Sequence, residues 1–379
     1  MIRFPGRLAL QQRVLPNYRA PFFDLLASAC DGGMSLFTGL PRPTEGITTT
    51  KELKVAKYKL GNNIHLFGGN FYLCYQHGLM DWLKEWNPDA LIMEANPRYL
   101  STASAVKWLH KRNRPVIGWG LGAPSPQPLL TERFAVSRGE RGTGQRSMGV
   151  RVWSSFINQF DAMISYSQRG ADEYTALGFP REKIFVAHNS VALPPTSTVP
   201  LRPSTFNLQP YILFVGRLQA RKRVDYLLRA CAQMESKPRL GIIGDGPERV
   251  ALESTAKEIY PGAEFIGAKH GAELKPYFAE ADLFVLPGTG GLAVQEAMSY
   301  GLPVIVAQGD GTQDDLVRKE NGWQIPPDDF DALVSTMKDA LSDVARLRRM
   351  GEESYRIVKE EINIEKMVET FVKALNNIR

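Results

Sequence analysis

Short apolar runs bounded by glycine, proline or polar residues alternate along this chain with segments whose apolar positions recur every three or four residues. In the second half, 211–215, 240–243, 283–286 and 303–306 read as strands, and 225–234, 248–259 and 292–300 carry helical spacing. The first half repeats the theme with strands at 34–37, 90–93, 116–118 and 162–165 and a helix over 99–111. Strands alternating with helices predict α/β architecture with doubly wound parallel sheets, here two Rossmann-like domains facing a central cleft. Ligands bind beyond the carboxyl ends of such strands, so those ends hold the candidate chemistry.

The segment 192–210 concentrates Pro, Ser and Thr and reads as a linker. The expected domains are therefore 1–195, a linker 196–210, 211–362, and a final helix 363–379. In that helix Met367, Phe371 and Leu375 share one face, which is expected to dock on the first domain. A chain of 379 residues has room for two cores. With 44% hydrophobic and 23% charged residues it is ordinary globular protein, neither disordered nor fibrous. Cys30, Cys74 and Cys231 have no metal-ligand spacing and cannot all pair, which fits a reducing, cytoplasmic setting. No run of 18 apolar residues suggests a span and no signal peptide is expected.

Charge is uneven: residues 1–195 hold 23 Lys/Arg against 14 Asp/Glu, while residues 196–379 hold 23 against 26. A basic first half suggests an anionic partner. Nucleic acid is discounted because no recognisable binding module or interleaved stacking aromatics accompany the charge. Arg133, Arg138, Arg141, Arg146 and Arg151 crowd one stretch, with Met148, Val152, Trp153, Phe156 and Phe160 on one helical face overlapping its end. That stretch reads equally as a membrane-surface element at the cytoplasmic face or as a core helix behind a basic loop.

Three strand ends in the second half carry the chemistry. The first ends in Gly216-Arg217-Leu218, with Lys222 five residues on; a planar fork and a point charge together suit a diphosphate. The second runs into Gly244-Asp245-Gly246-Pro247, which a tight strand-to-helix turn explains as well as a ligand does. The third enters Pro287-Gly288-Thr289-Gly290-Gly291-Leu292-Ala293, whose bare amides before a helix make an anion site, with Glu296 one turn deeper to accept ligand hydroxyls.

In order and spacing, these motifs resemble the C-terminal half of retaining family 4 glycosyltransferases of the GT-B fold, bacterial polysaccharide-building members among them. The resemblance covers residues 211 to about 325. It implies that Arg217 and Lys222 hold the diphosphate of a UDP- or GDP-linked sugar, assisted by amides around Gly290, Gly291, Leu292 and Ala293. Glu296 would bind the ribose, and the base would lie near Gly267, Ala268 and Leu274. It also implies hexose transfer with retention to a glycan or lipid-linked acceptor in surface polysaccharide assembly. One departure stands out: the family's Glu-x7-Glu signature needs an acid where this chain has Gly288. An epimerase or hydrolase on the same fold, or a non-catalytic nucleotide-sugar binder, are the alternatives.

On the acceptor side, Tyr18 and Arg19 sit where the first strand should meet the first helix, and Trp119 ends a strand where a flat ring suits sugar stacking. Glu94, also at a strand end, is either a carboxylate nucleophile, an acceptor's hydrogen-bond partner or a plain strand-end acid. No Asp-x-Asp stands at a strand end, so no metal and no separate cofactor are expected. Cations aimed at the departing diphosphate would supply the needed charge.

Overall fold

The computed structural model describes residues 2–68, 72–123, 148–195, 209–309 and 311–378. The chain divides into two compact units, Met1–His188 with Glu365–Arg379, and Asn189–Ile364. The division falls ahead of the expected linker, of which residues 196–208 lie outside those described.

Nine strands occur among the described residues of the first unit: β1 (Leu8–Val14), β2 (Met34–Gly39), β3 (Lys57–Leu60), β4 (Asn62–Leu66), β5 (Leu73–His77), β6 (Ala90–Glu94), β7 (Val116–Gly120), β8 (Ala162–Ser165) and β9 (Ile184–Val186). Seven of them form a sheet in the order β3-β2-β1-β6-β7-β8-β9, every pairing parallel. Central strands covered on both faces read as continuous apolar runs, which is why Ala90–Glu94 and Ala162–Ser165 were legible. The remaining pair, β4 and β5, makes a separate antiparallel hairpin. The terminal helix Ile364–Asn377 returns to this unit, placing the Phe371 ring 5.0 Å from Phe22 and 4.9 Å from Trp119.

The second unit holds β10 (Tyr211–Val215), β11 (Arg239–Ile243), β12 (Ala263–Gly267), β13 (Leu283–Leu286), β14 (Val304–Ala307) and β15 (Gly322–Ile325), ordered β12-β11-β10-β13-β14-β15 and parallel throughout. The order reverses between β10 and β13, so the ends of those two strands flank the switch point of the sheet. Its core runs from Ile212 and Leu213 through Phe284 and Val285 to Leu333 and Ile357, all fully buried.

Candidate nucleotide-sugar site

Three chain segments meet at the switch point of the second unit. After β10 the chain passes through exposed Arg217 into a single 3-10 turn, Ala220–Lys222, that ends on Arg223 in the left-handed conformation. This turn aims Lys222 inward: the residue is 5% exposed, and its Nζ donates to the carbonyls of Thr289, at 2.8 Å, and of Gly290. Arg221 adds a bond from Nη1 to Thr289 O at 3.2 Å, and Thr289 N–H returns one to Arg221 O at 3.1 Å. The glycine loop is therefore held by its carbonyls from the cationic side. Among the described residues no acceptor lies against the N–H groups of Gly290, Gly291 and Leu292. A loop whose carbonyls face two cations turns amides the other way, the arrangement that receives an anion.

This geometry explains the missing acid. A Cβ on Gly288 would stand 2.1 Å from Arg221 O and 2.5 Å from Lys222 Cα, so the position admits no side chain while the 3-10 turn keeps its place. The close approach serves backbone against backbone. The same holds for Gly244, where φ is 143° and a Cβ would lie 1.9 Å from Gly216 O. Of the two readings of that turn, tight packing against the β10 loop accounts for the glycine.

Glu296 lies on the helix Ala293–Ser299. It is half-buried, its carboxylate has no hydrogen-bond or ion-pair partner among the described residues, and burial raises that carboxyl above the ordinary range. A carboxylate in this setting keeps its acceptor capacity for groups that reach it from outside the protein. Its neighbour Gln295 was missed by the sequence reading. Fully buried, the Gln295 amide donates to Ser190 Oγ at 3.0 Å and Ile362 O at 2.8 Å and accepts from Val191 and Ala192 N–H at 2.8 and 3.1 Å. It thereby fixes the helix that presents Glu296. A lone amide inside the otherwise apolar LAV-A-M pattern was the available signal.

Gly267 ends β12 and receives a bond from Gly244 N–H at 2.9 Å, with Ala268 exposed beside it. Leu274 is a correction: its side chain is buried in the sheet's core, leaving only backbone for a base.

In the first unit two further corrections arise. Trp119 is 1% exposed, packed among Phe22, Phe23, Tyr166 and Phe371 at ring distances of 4.9 to 6.4 Å, so it cannot stack on a sugar. Arg19 is 5% exposed, its guanidinium 5.4 Å from the Tyr166 ring and 5.9 Å from Trp119. It braces an aromatic wall; Tyr18 is the exposed member of that pair. Glu94 is committed as well: Oε2 accepts from Arg13 N–H and Oε1 from Tyr99 O–H, both at 2.9 Å. That matches a strand-end acid rather than a nucleophile. Of the basic stretch, Arg133, Arg138, Arg141 and Arg146 lie outside the described residues. On the helix Met148–Ile157 that follows, Trp153 and Phe156 pack on the core and Val152 is exposed.

Residues 209–343, which contain all three strand-end motifs, match the family model described as Glycosyl transferases group 1. The match falls on the stretch that carries the motifs and extends neither to the first half of the chain nor to the retaining family 4 assignment. The chain is 34% identical over 143 residues to a sulfoquinovosyl transferase of Arabidopsis thaliana, covering 36% of this chain and 27% of that protein. It is 38% identical over 126 residues to a GDP-mannose-dependent alpha-mannosyltransferase of Mycobacterium tuberculosis, covering 32% of each. An amylovoran biosynthesis glycosyltransferase of Erwinia amylovora is 27% identical over 201 residues, with 47% of each covered. The chain thus spans about half or less of these relatives' lengths. Among solved structures, Anabaena Alr3699/HepE in complex with UDP superposes with a TM-score of 0.70 at 15% identity, covering 98% of this chain and 99% of that one. A lipopolysaccharide outer core galactosyltransferase superposes at 0.69 and 18% identity, covering 98% and 99%. The fold, two parallel-sheet α/β units, is GT-B.

Proposed function

We propose that this protein is a glycosyltransferase that moves a hexose from a nucleotide-diphosphate sugar to a glycan or lipid-linked acceptor, with retention of configuration and no metal, in surface polysaccharide biosynthesis. The observation that carries the reading is the switch-point arrangement: a cation-backed glycine loop with open amides beside a half-buried carboxylate that has no partner among the described residues. The names of its relatives support the same class, since they act in sulfoquinovosyl and GDP-mannose-dependent mannosyl transfer and in amylovoran biosynthesis. A fold neighbour crystallised with UDP supports a nucleotide ligand.

Departure of the diphosphate builds negative charge on its oxygens, and preorganised charge aimed there lowers the barrier. Arg217, exposed at the end of β10, supplies a fork to those oxygens. Lys222 acts from beneath, its ammonium 3.7 Å from where a Gly291 Cβ would stand, so its field passes through the loop that meets the anion. Glu296 accepts hydrogen bonds from the ribose hydroxyls. Thermal shifts with UDP, GDP, ADP and their sugars identify the base, because a ligand that prefers the folded state raises the melting temperature. Arg217→Ala is expected to weaken nucleoside diphosphate binding and to lower turnover by about 10²-fold, and Glu296→Ala to weaken nucleotide but not inorganic pyrophosphate. Unchanged nucleotide affinity in both variants would overturn the site. Release of free nucleotide at full rate without acceptor would favour a hydrolase.

A further inference from the structure

The hairpin of the first unit reverses the usual order of a half-buried ribbon. Three polar residues turn inward: Asn63 Nδ2 donates to Arg13 O at 2.8 Å and Leu40 O at 2.9 Å, Gln76 Nε2 to Asn63 Oδ1 at 3.0 Å and Gln12 O at 3.2 Å, and His65 Nδ1 lies 3.1 Å from Tyr72 O–H. Four apolar residues turn outward. The cross-strand pairs Ile64 with Tyr75 and Leu66 with Leu73 share one face, because side chains alternate along each strand. Residues 98–100 add a third row on the free edge of β5, with Cys74 N–H on Arg98 O and Leu100 N–H on Cys74 O, both at 2.9 Å. Tyr99 pairs with Cys74 on the inner face, so Arg98 and Leu100 emerge on the outer one. At the end of β4, Phe67 is 76% exposed with φ at 60°, a conformation costly for an aromatic residue.

Contiguous apolar surface on a soluble chain marks an interaction site. The charge on this face selects the partner. Asn62, Ile64, Leu66, Leu73, Tyr75, His77, Arg98 and Leu100 include a guanidinium and no carboxylate. Behind them Arg13 and Arg42 share a single acid, Glu45. Two aromatics of the kind that settle at headgroup depth, aliphatic neighbours and basic flanks together suit an anionic lipid surface.

We propose that the outer face of this hairpin, led by Phe67 and Tyr75 with Arg98, docks the protein on anionic bilayers. The surface stands whether or not the transferase reading holds, although a lipid-linked acceptor would give it a purpose.

The test is co-sedimentation with phosphatidylglycerol and with phosphatidylcholine vesicles at low and high salt. The full chain is expected to pellet with phosphatidylglycerol, and more salt is expected to weaken it. Exposed positions tolerate polar residues, so Phe67→Ser with Ile64→Ser should keep the melting temperature and any UDP-induced shift while losing about ten-fold or more in vesicle binding. Arg98→Glu should lose about five-fold or more. No binding by the unaltered chain, equal binding to both lipids, or unchanged binding in either variant overturns the proposal. So does self-association without vesicles that the same substitutions abolish, since the occupant is then a second copy. Vesicle binding in a chain that none of UDP, GDP, ADP and their sugars stabilises leaves the docking surface standing and removes the transferase reading instead.

Discussion

The two units end their central strands in opposite ways. In the first, polar groups beyond β1 and β6 are consumed by one another: Glu94 bonds Arg13 and Tyr99, and Arg13 in turn bonds Glu45 at 2.9 Å. Burial works against ionisation of Glu45, but the hydrogen bond from Arg13 and its charge hold that carboxyl below the ordinary range. In the second, the cations Arg221 and Lys222 bond loop carbonyls while, among the described residues, the amides of Gly290, Gly291 and Leu292 and the Glu296 carboxylate have no partner. A closed network stabilises its own unit; an open one waits for a ligand.

The largest effect is expected at Gly288. Gly288→Ala puts a methyl 2.1 Å from Arg221 O, and backbone cannot swing aside as a flexible side chain would. Overpacking of this severity costs about 3 kcal/mol or more, a fall of roughly 6–12 °C in melting temperature. Gly288→Glu, which restores the acid of the family signature, should fare no better and should lose nucleotide binding. A Glu variant that folds with native stability and gains turnover would show that the loop is looser than described here.

Next comes Glu94→Gln. An amide keeps both contacts only by accepting from Arg13 N–H and donating to the Tyr99 hydroxyl, and both bonds lose their ionised acceptor, so stability should fall by about 1–2 kcal/mol in denaturant titration. Turnover per folded molecule should hold within a few-fold, whereas loss of a covalent nucleophile costs on the order of 10⁴-fold or more. A collapse of kcat at unchanged stability would reopen the nucleophile reading and break the contrast between the units.

Glu296→Gln sharpens it from the other side. Burial raises the folded-state pKa above the unfolded value of about 4.3, so the folded protein holds its proton longer and the wild type loses stability as pH climbs between the two values. The glutamine variant lacks that loss. Its melting temperature should therefore match the wild type in acid and exceed it increasingly toward neutral pH, while nucleotide affinity falls. Stability and binding then move with opposite signs, as expected of a group retained for function. A variant less stable at pH 7 would mean that Glu296 is structural.

How much of this was legible follows from which residues announce their surroundings. The strands β10, β11 and β13 read directly because both faces are covered and, Arg239 at the start of β11 apart, no position carries a charge. The glycine loop read as an anion site because spacing fixes where bare amides fall, but the obstruction at Gly288 depends on a segment some 65 residues away and has no local signature. The hairpin stayed invisible because β4 and β5 put apolar residues outward, and alternation says nothing about which face is wet. Strand-end position also misled: Arg19 and Trp119 stand where ligands bind in such folds, yet the terminal helix brings Met367 against Arg19 and Phe371 against Trp119.

The smallest effect is expected at Trp119, and its smallness is the point. The indole is 1% exposed and, among the described residues, its Nε1–H has no acceptor. Trp119→Phe removes one ring of packing, a loss of the size seen for trimmed core side chains, but it also removes a buried donor that costs about 1–3 kcal/mol to leave unpaired. The two terms oppose each other, so the net change should stay within about 1 kcal/mol by denaturant titration, with turnover unchanged. A ring that stacked on the acceptor would behave differently: KM would rise while stability held, since phenylalanine offers less surface to a sugar. Such a split between KM and stability would mean that the aromatic wall of the first unit opens to substrate, and that its strand ends are no more closed than those of the second.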